Sequence, residues 1–345
     1  MLPYSKFDKY EIKLYNYINF LMRGFMFMTA IINILLLVIG FILLLKGADF
    51  MVDGAVGFAK KLRIPTLVIG MTIVAFGTSA PEAAVSITAA YNGSNAISVS
   101  NIVGSNIFNL LVVGGFCALL NPLPIKPVSF TRDYPFHLLI TLALLVLCAD
   151  KFLCNGDNLF ISVGDGIILL LLMCIYMYIN ITDGFSKDDI QESDDKSLSF
   201  GKNLLLFSGG LIGIILGGKL VVESATFIAR LIGISDTLIG LTIVAIGTSL
   251  PELMTSIVAS KKGENDIAWG NIIGSNVFNI LFVLGVSSVL HPITLDILSI
   301  YDMLILLGVS LLIYPAAAKA KSINRPIGIP MLITYIIYTI YIIVR

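Results

Sequence analysis

The chain repeats itself. Displaced by 170 residues, positions 70–111 align on 240–281 without a gap, and 24 of the 42 aligned pairs are identical. Identity concentrates in two blocks. Gly77-Thr78-Ser79-Ala80-Pro81-Glu82 matches Gly247-Thr248-Ser249-Leu250-Pro251-Glu252. Asn101-Ile102-Val103-Gly104-Ser105-Asn106-Ile107-Phe108-Asn109 matches Asn271-Ile272-Ile273-Gly274-Ser275-Asn276-Val277-Phe278-Asn279. Weaker likeness runs back to Gly40, Gly47 and Asp53, which meet Gly210, Gly217 and Glu223. A self-match at so long a period means that the unit duplicated is several elements, not one.

The medium in which those elements fold follows from hydropathy. Of the 345 residues 57% are hydrophobic and 13% charged, against about 25% charged in soluble domains. Crossing a bilayer takes about 20 apolar residues of helix. Ten runs approach that length, roughly 26–46, 64–90, 97–120, 135–150, 159–181, 203–224, 235–260, 267–290, 299–318 and 327–344. Open sheet is excluded there, because unpaired backbone groups cannot be left in hydrocarbon. The expected fold class is an all-α integral membrane protein with ten transmembrane helices. Five spans per copy is an odd number, so the second copy enters from the opposite side. The copies are then two inverted five-helix repeats, with the binding site expected at their interface near mid-membrane.

This divides the chain into residues 1–25, a polar tail or an interfacial amphipathic helix; 26–181, the first repeat; 182–202, a short acidic loop; and 203–345, the second repeat. The run from Phe25 to Leu45 is too long for a signal-peptide core. It is read as a retained span, with Lys46-Gly47-Ala48-Asp49 leading into a loop. An outward N-terminus puts 14 basic residues in cytoplasmic loops and four in outer loops and the C-terminus, as the positive-inside rule favours. The basic tail is the contrary feature. Zero net charge argues against nucleic acid as a partner; the expected surroundings are the lipid bilayer of the cell membrane, with the protein acting as a monomer. The four cysteines show no metal-ligand spacing and read as apolar fillers. His137 and His291 suggest no ligand set and are placed near span ends.

Chemistry enters with Glu82 and Glu252. A carboxylate in mid-membrane costs on the order of 2.5–3.5 kcal/mol, and such residues mark ion or proton pathways. At equivalent positions of inverted repeats, the two converge on the pseudo-two-fold axis. Each follows a Pro, which cannot donate a backbone hydrogen bond, and lies shortly after a Gly. Spans 2 and 7 are therefore expected to be broken, with carbonyls freed and Thr78, Ser79, Thr248 and Ser249 turned inward. Ser105 and Asn109 lie four residues apart on one helix face, as do Ser275 and Asn279. Asn101, Asn106, Asn271 and Asn276 read equally well as links between helices and are left outside the core set. The donors are all oxygen, which suits hard cations such as Ca²⁺ and Na⁺. Two negative charges balance one Ca²⁺ or two monovalent ions, and a site that cannot hold both loads at once exchanges them.

The paired Gly-Thr-Ser-x-Pro-Glu and Gly-Ser-Asn-[Ile/Val]-Phe-Asn motifs resemble the alpha repeats of the sodium/calcium exchanger family, within the cation/calcium antiporter superfamily. That resemblance covers nearly the whole chain. It implies antiport of Ca²⁺ against Na⁺ by alternating access, the first and sixth spans sliding past a fixed core, with no cofactor beyond the transported ions. It also implies Ca²⁺ ligands at Glu82 and Glu252 and Na⁺ ligands at Thr78, Ser79, Ser105, Thr248, Ser249 and Ser275. Carbonyls of Ala75 and Ala245 join the Na⁺ set, and Asn109 and Asn279 form the central amide pair. One departure stands out: several sodium/calcium exchangers carry Asp at the position of Asn279, whereas proton/calcium exchangers carry amides. H⁺/Ca²⁺ and K⁺-dependent Na⁺/Ca²⁺ exchange therefore remain alternatives. A cation channel is a further alternative from a different class. No enzyme is expected, since a glutamate-based intramembrane metalloprotease needs histidine ligands and the chain's two histidines are not placed for one.

Overall fold

A computed structural model describes residues 9–93, 95–149, 159–184, 199–234 and 245–344. The acidic residues of the central loop, Cys154 and the first half of the seventh span lie outside them. In chain order the helices are α1 (Lys9–Leu62), α2 (Thr66–Thr78), α3 (Ala80–Tyr91), α4 (Asn95–Phe108), α5 (Gly114–Leu120), α6 (Tyr134–Leu147) and α7 (Val163–Gly184). The second half contributes α8 (Phe200–Leu231), α9 (Ala245–Thr248), α10 (Leu250–Lys261), α11 (Asn265–Phe278), α12 (Leu284–Leu290), α13 (Ile297–Ala320) and α14 (Arg325–Val344). Among the described residues, eight helices are long and apolar enough to cross a membrane, or nine when the bent pair α2–α3 counts as one span.

The duplication is visible residue for residue. α3, α4 and α5 reappear 170 positions later as α10, α11 and α12 with identical bounds. Between α4 and α5 lies a π-helical turn, Asn109–Val113, matched between α11 and α12 by Asn279–Val283. These two helical rods form the centre, and 83% of the most apolar window of each is buried within the protein. The corresponding window of α1 is 11% buried, so its Ile, Leu and Phe side chains face outward, as expected of a lipid-facing helix. Two short antiparallel strand pairs cross between the halves. Leu123–Pro124 pairs with Ser322–Ile323, and Leu159–Ile161 pairs with Ile293–Leu295.

The first span differs from its sequence expectation. No loop follows Lys46; α1 is one helix of 54 residues, about 80 Å long at 1.5 Å per residue. Gly47 is not a turn residue there but the point where α1 meets α8. A Cβ on Gly47 would lie 2.7 Å from the Gly210 carbonyl, and one on Gly210 would lie 2.5 Å from the Gly47 carbonyl. One turn pair further along, a Cβ on Gly40 would come 2.9 Å from the Gly217 carbonyl. Glycines seven residues apart on both helices thus let the two backbones touch. α1 ends where Arg63 turns left-handed (φ 54°) and the Ile64 N–H returns to the Ala59 carbonyl at 3.0 Å. Pro65 then blocks continuation. The fourth span also begins earlier than expected, through a π-helical turn at Ser129–Asp133.

Candidate ion-binding site

The expected breaks occur at two serines. α2 and α3 meet at Ser79 with a bend of 51°. Ser79 (φ −82°, ψ 7°) and Ser249 (φ −93°, ψ 7°) share one sparsely populated bridge conformation. Pro81 and Pro251 stand at the start of the helices that follow and return no N–H to Gly77 and Gly247. Each break places a glutamate in the first turn of a new helix, Glu82 in α3 and Glu252 in α10. There the positive end of the helix dipole favours an anionic side chain.

Both glutamates are completely buried, and each is held by the serine of the other copy. Ser79 Oγ donates to Glu252 Oε1 at 2.8 Å, and Ser249 Oγ to Glu82 Oε1 at 3.0 Å. This crossed pair brings the two carboxylates together across the repeat interface. The surroundings are not symmetric. Ser105 Oγ lies 3.4 Å from Glu82 Oε1 and 2.9 Å from Ser249 Oγ. On the other side Thr78 Oγ1 donates to Asn271 Oδ1 at 3.0 Å and lies 3.4 Å from Ser275 Oγ.

Asn109 and Asn279 open the two π-helical turns and are also fully buried. Asn109 Nδ2 donates to Asn276 Oδ1 at 3.2 Å, and Asn279 Nδ2 to Asn106 Oδ1 at 3.1 Å. Asn106 and Asn276 in turn donate to one another's backbone carbonyls, both at 3.2 Å. The four amides knot α4 to α11. Asn101 and Asn271 serve the glutamates from behind. They donate to Ser86 Oγ and Ser256 Oγ at 2.9 and 3.0 Å and approach the carbonyls of Glu82 and Glu252. Asn101, Asn106, Asn271 and Asn276 stand outside the core set read from the sequence. The signal that could have included Asn106 and Asn276 is their identity in both copies three residues before Asn109 and Asn279.

With their nitrogens and one oxygen committed, four oxygens are left over. Glu82 Oε2, Glu252 Oε2, Asn109 Oδ1 and Asn279 Oδ1 are buried with no hydrogen-bond partner among the described residues. They come from equivalent positions of the two copies. Orphaned buried acceptors are rare, and an unpaired buried carboxylate is costly. Among the described residues no lysine or arginine forms an ion pair with either glutamate, and no three His, Cys, Asp or Glu gather into a metal cluster.

The remaining expected ligands are located as follows. The Ala75 carbonyl accepts the Ser79 N–H at 3.0 Å and lies 3.3 Å from Thr78 Oγ1. Thr248 is half-buried and closes α9, the short helix that Ala245 opens. His291 sits at a helix end, exposed after α12. His137 does not: it is wholly buried inside the fourth span, with Nε2 3.4 Å from Asn276 Nδ2.

An all-helical bundle with apolar outer faces and a buried, oxygen-lined pair of carboxylates defines a multi-span membrane transporter of cations. Residues 32–182 and 202–344 match the family profile described as Sodium/calcium exchanger protein, and the chain belongs to that family, one of antiporters. It is 41% identical over 261 residues to the Putative antiporter CaxA of Alkalimonas amylolytica, covering 75% of this chain and 81% of that one. It is 31% identical over 302 residues to the Sodium/calcium exchanger MaX1 of Methanosarcina acetivorans, covering 78% and 86%. Among solved structures, the sodium-calcium exchanger NCX_Mj superposes with a TM-score of 0.78 at 35% identity, over 89% of this chain and 98% of that one.

Proposed function

We propose that this protein is a monomeric antiporter of the cell membrane that exchanges Ca²⁺ for Na⁺ by alternating access. Its ten spans are arranged as two inverted repeats. The observation that carries the reading is the set of four orphaned buried oxygens, two carboxylate and two amide, at equivalent positions of the two copies. Ca²⁺ takes six to eight oxygens, commonly from carboxylates and amides. Two carboxylates neutralise one Ca²⁺ or two Na⁺, and loading both at once would leave excess positive charge in a medium of low dielectric. Ca²⁺ would sit between Glu82 and Glu252 with Asn109 and Asn279 beside them. Na⁺ would use Thr78, Ser79 and Ser105, with Thr248, Ser249 and Ser275, and the carbonyls of Ala75 and Ala245. The 3.3 Å between Thr78 Oγ1 and the Ala75 carbonyl is a separation at which two oxygens share one ion.

The experiment is Ca²⁺ uptake into proteoliposomes driven by a Na⁺ gradient, with the pH gradient collapsed and K⁺ omitted. Saturable uptake that stops when Na⁺ is removed from the far side is expected. Uptake that requires K⁺, or that continues without any counter-ion as a channel would allow, sinks the proposal. A second reading, H⁺/Ca²⁺ exchange, is favoured by one observation: amides occupy both Asn109 and Asn279, so Glu82 and Glu252 are the carboxylates of this set among the described residues. It predicts uptake driven by a pH gradient alone.

A further inference from the structure

The two-fold symmetry of the amide knot is broken by one residue that the exchange reading does not use. His137 lies in α6, fully buried, with Nε2 3.4 Å from Asn276 Nδ2. The same Nδ2 donates to the Asn106 backbone carbonyl at 3.2 Å. A carbonyl only accepts, so the amide is oriented with its nitrogen toward both neighbours. Nε2 is therefore an acceptor and the ring proton resides on Nδ1, which meets no partner among the described residues. The other end of the Asn276 amide, Oδ1, receives Asn109 Nδ2 at 3.2 Å. With its nitrogen so engaged, Asn109 keeps Oδ1, which has no hydrogen-bond partner among the described residues.

His137 is itself held from the α11 side. Its ring meets Tyr134 edge-on at 5.8 Å, and Tyr134 stacks on Trp269 of α11 at 5.9 Å with the planes 11° apart. The Tyr134 hydroxyl is anchored on the Ser310 carbonyl of α13 at 3.0 Å. Among the described residues the second copy shows no equivalent brace. Asn106 donates to the Asn276 carbonyl and receives Asn279. The chain's other histidine, His291, is exposed at a helix end with Nδ1 beside the Pro292 carbonyl.

We propose that His137 is a positioning residue for the cation site. Through Asn276 it fixes the amide of Asn109, and so presents one of the two amide oxygens to Ca²⁺ in a set orientation while Asn279 is left without that brace. This rests on the reading of Asn109 as a Ca²⁺ ligand. Asn109 and Asn279 are then unequal ligands, although the sequence duplicates them.

The test measures equilibrium ⁴⁵Ca²⁺ binding to purified protein, together with initial rates of Ca²⁺ uptake, for wild type, His137→Leu and His137→Gln. Losing one hydrogen bond in the chain should weaken Kd and KM for Ca²⁺ about fivefold in His137→Leu, with kcat nearly unchanged. His137→Gln, which keeps an acceptor for Asn276, should return Kd close to wild type. His137→Met carries the same expectation as Leu if Leu does not give a folded protein. Wild-type affinity in the Leu or Met variant overturns the inference, and so does a Gln variant as weak as Leu. Wild-type protein that binds no Ca²⁺ overturns the cation reading along with it, whereas binding that Leu leaves unchanged overturns this inference alone.

Discussion

At the scale of single residues, the crossed serine–glutamate pairs set the terms. Each carboxylate spends one oxygen on a serine from the opposite copy and keeps the other without a hydrogen-bond partner among the described residues. Neutralising either carboxylate should therefore remove Ca²⁺ exchange while leaving the protein folded. Glu82→Gln and Glu252→Gln are expected to show no uptake above background in proteoliposomes, with unchanged elution on gel filtration in detergent. Ser79→Ala and Ser249→Ala each remove the hydroxyl that donates to a glutamate, a bond worth about 1.5–3 kcal/mol when a charged group accepts it, so KM for Ca²⁺ should change by roughly tenfold or more. Asn279→Asp would add a third carboxylate to the cluster; a changed ratio of Na⁺ or H⁺ moved per Ca²⁺ is the expected result. The glutamates, serines and duplicated amides were legible in the sequence, because a polar residue repeated in register inside an apolar span has few other reasons to exist. Asn106, Asn276 and His137 were not. A lone polar side chain between helices has the same sequence signature whether it links backbones or orients a ligand.

At the scale of elements, the serine breaks and the proline starts were readable from Gly-Thr-Ser-x-Pro-Glu. The π-helical turns were not, because each adds one residue to a turn within a continuous apolar run and leaves no compositional mark. π-helical turns are frequent at functional sites, and here two of them open on Asn109 and Asn279. The unbroken α1 was misjudged for a different reason. Lys46, Gly47 and Asp49 look like a loop when no partner helix is in view. In the fold Gly47 is a backbone contact, and Asp49 and Asp53 clasp Lys262 at 2.7 and 2.6 Å. Two tests separate these roles. Gly47→Val would drive a side chain into the Gly210 carbonyl, and overpacking of this kind costs about 1–3 kcal/mol. A lower melting temperature in detergent is expected. Lys262→Ala breaks a partly exposed clasp worth about 0–1 kcal/mol and should shift the same melting curve little.

At the scale of the whole molecule, the halves are woven rather than stacked. Both strand pairs cross between them, the amide knot joins α4 to α11, and α11 packs on α2 so closely that a Cβ on Gly274 would lie 2.6 Å from the Met71 carbonyl. Each half supplies the serine that holds the other half's glutamate. A chain severed between residues 184 and 199 should be inactive as either half alone and recover Ca²⁺ uptake when both halves are co-expressed. Recovery by one half alone, measured in the same vesicles, would contradict the crossed arrangement.

The crossed serine–glutamate pairs also impose a schedule on biosynthesis. Ser249 is translated 167 residues after Glu82, an interval of about 10–30 s at ordinary ribosome speeds. Throughout that interval a half-made chain carries an acidic side chain in a membrane segment without the hydroxyl that will stabilise it. The nascent first repeat must keep Glu82 protonated, hydrated or shielded by the insertion machinery until its partner helix arrives, so the last-made helices decide whether the first-made ones can settle.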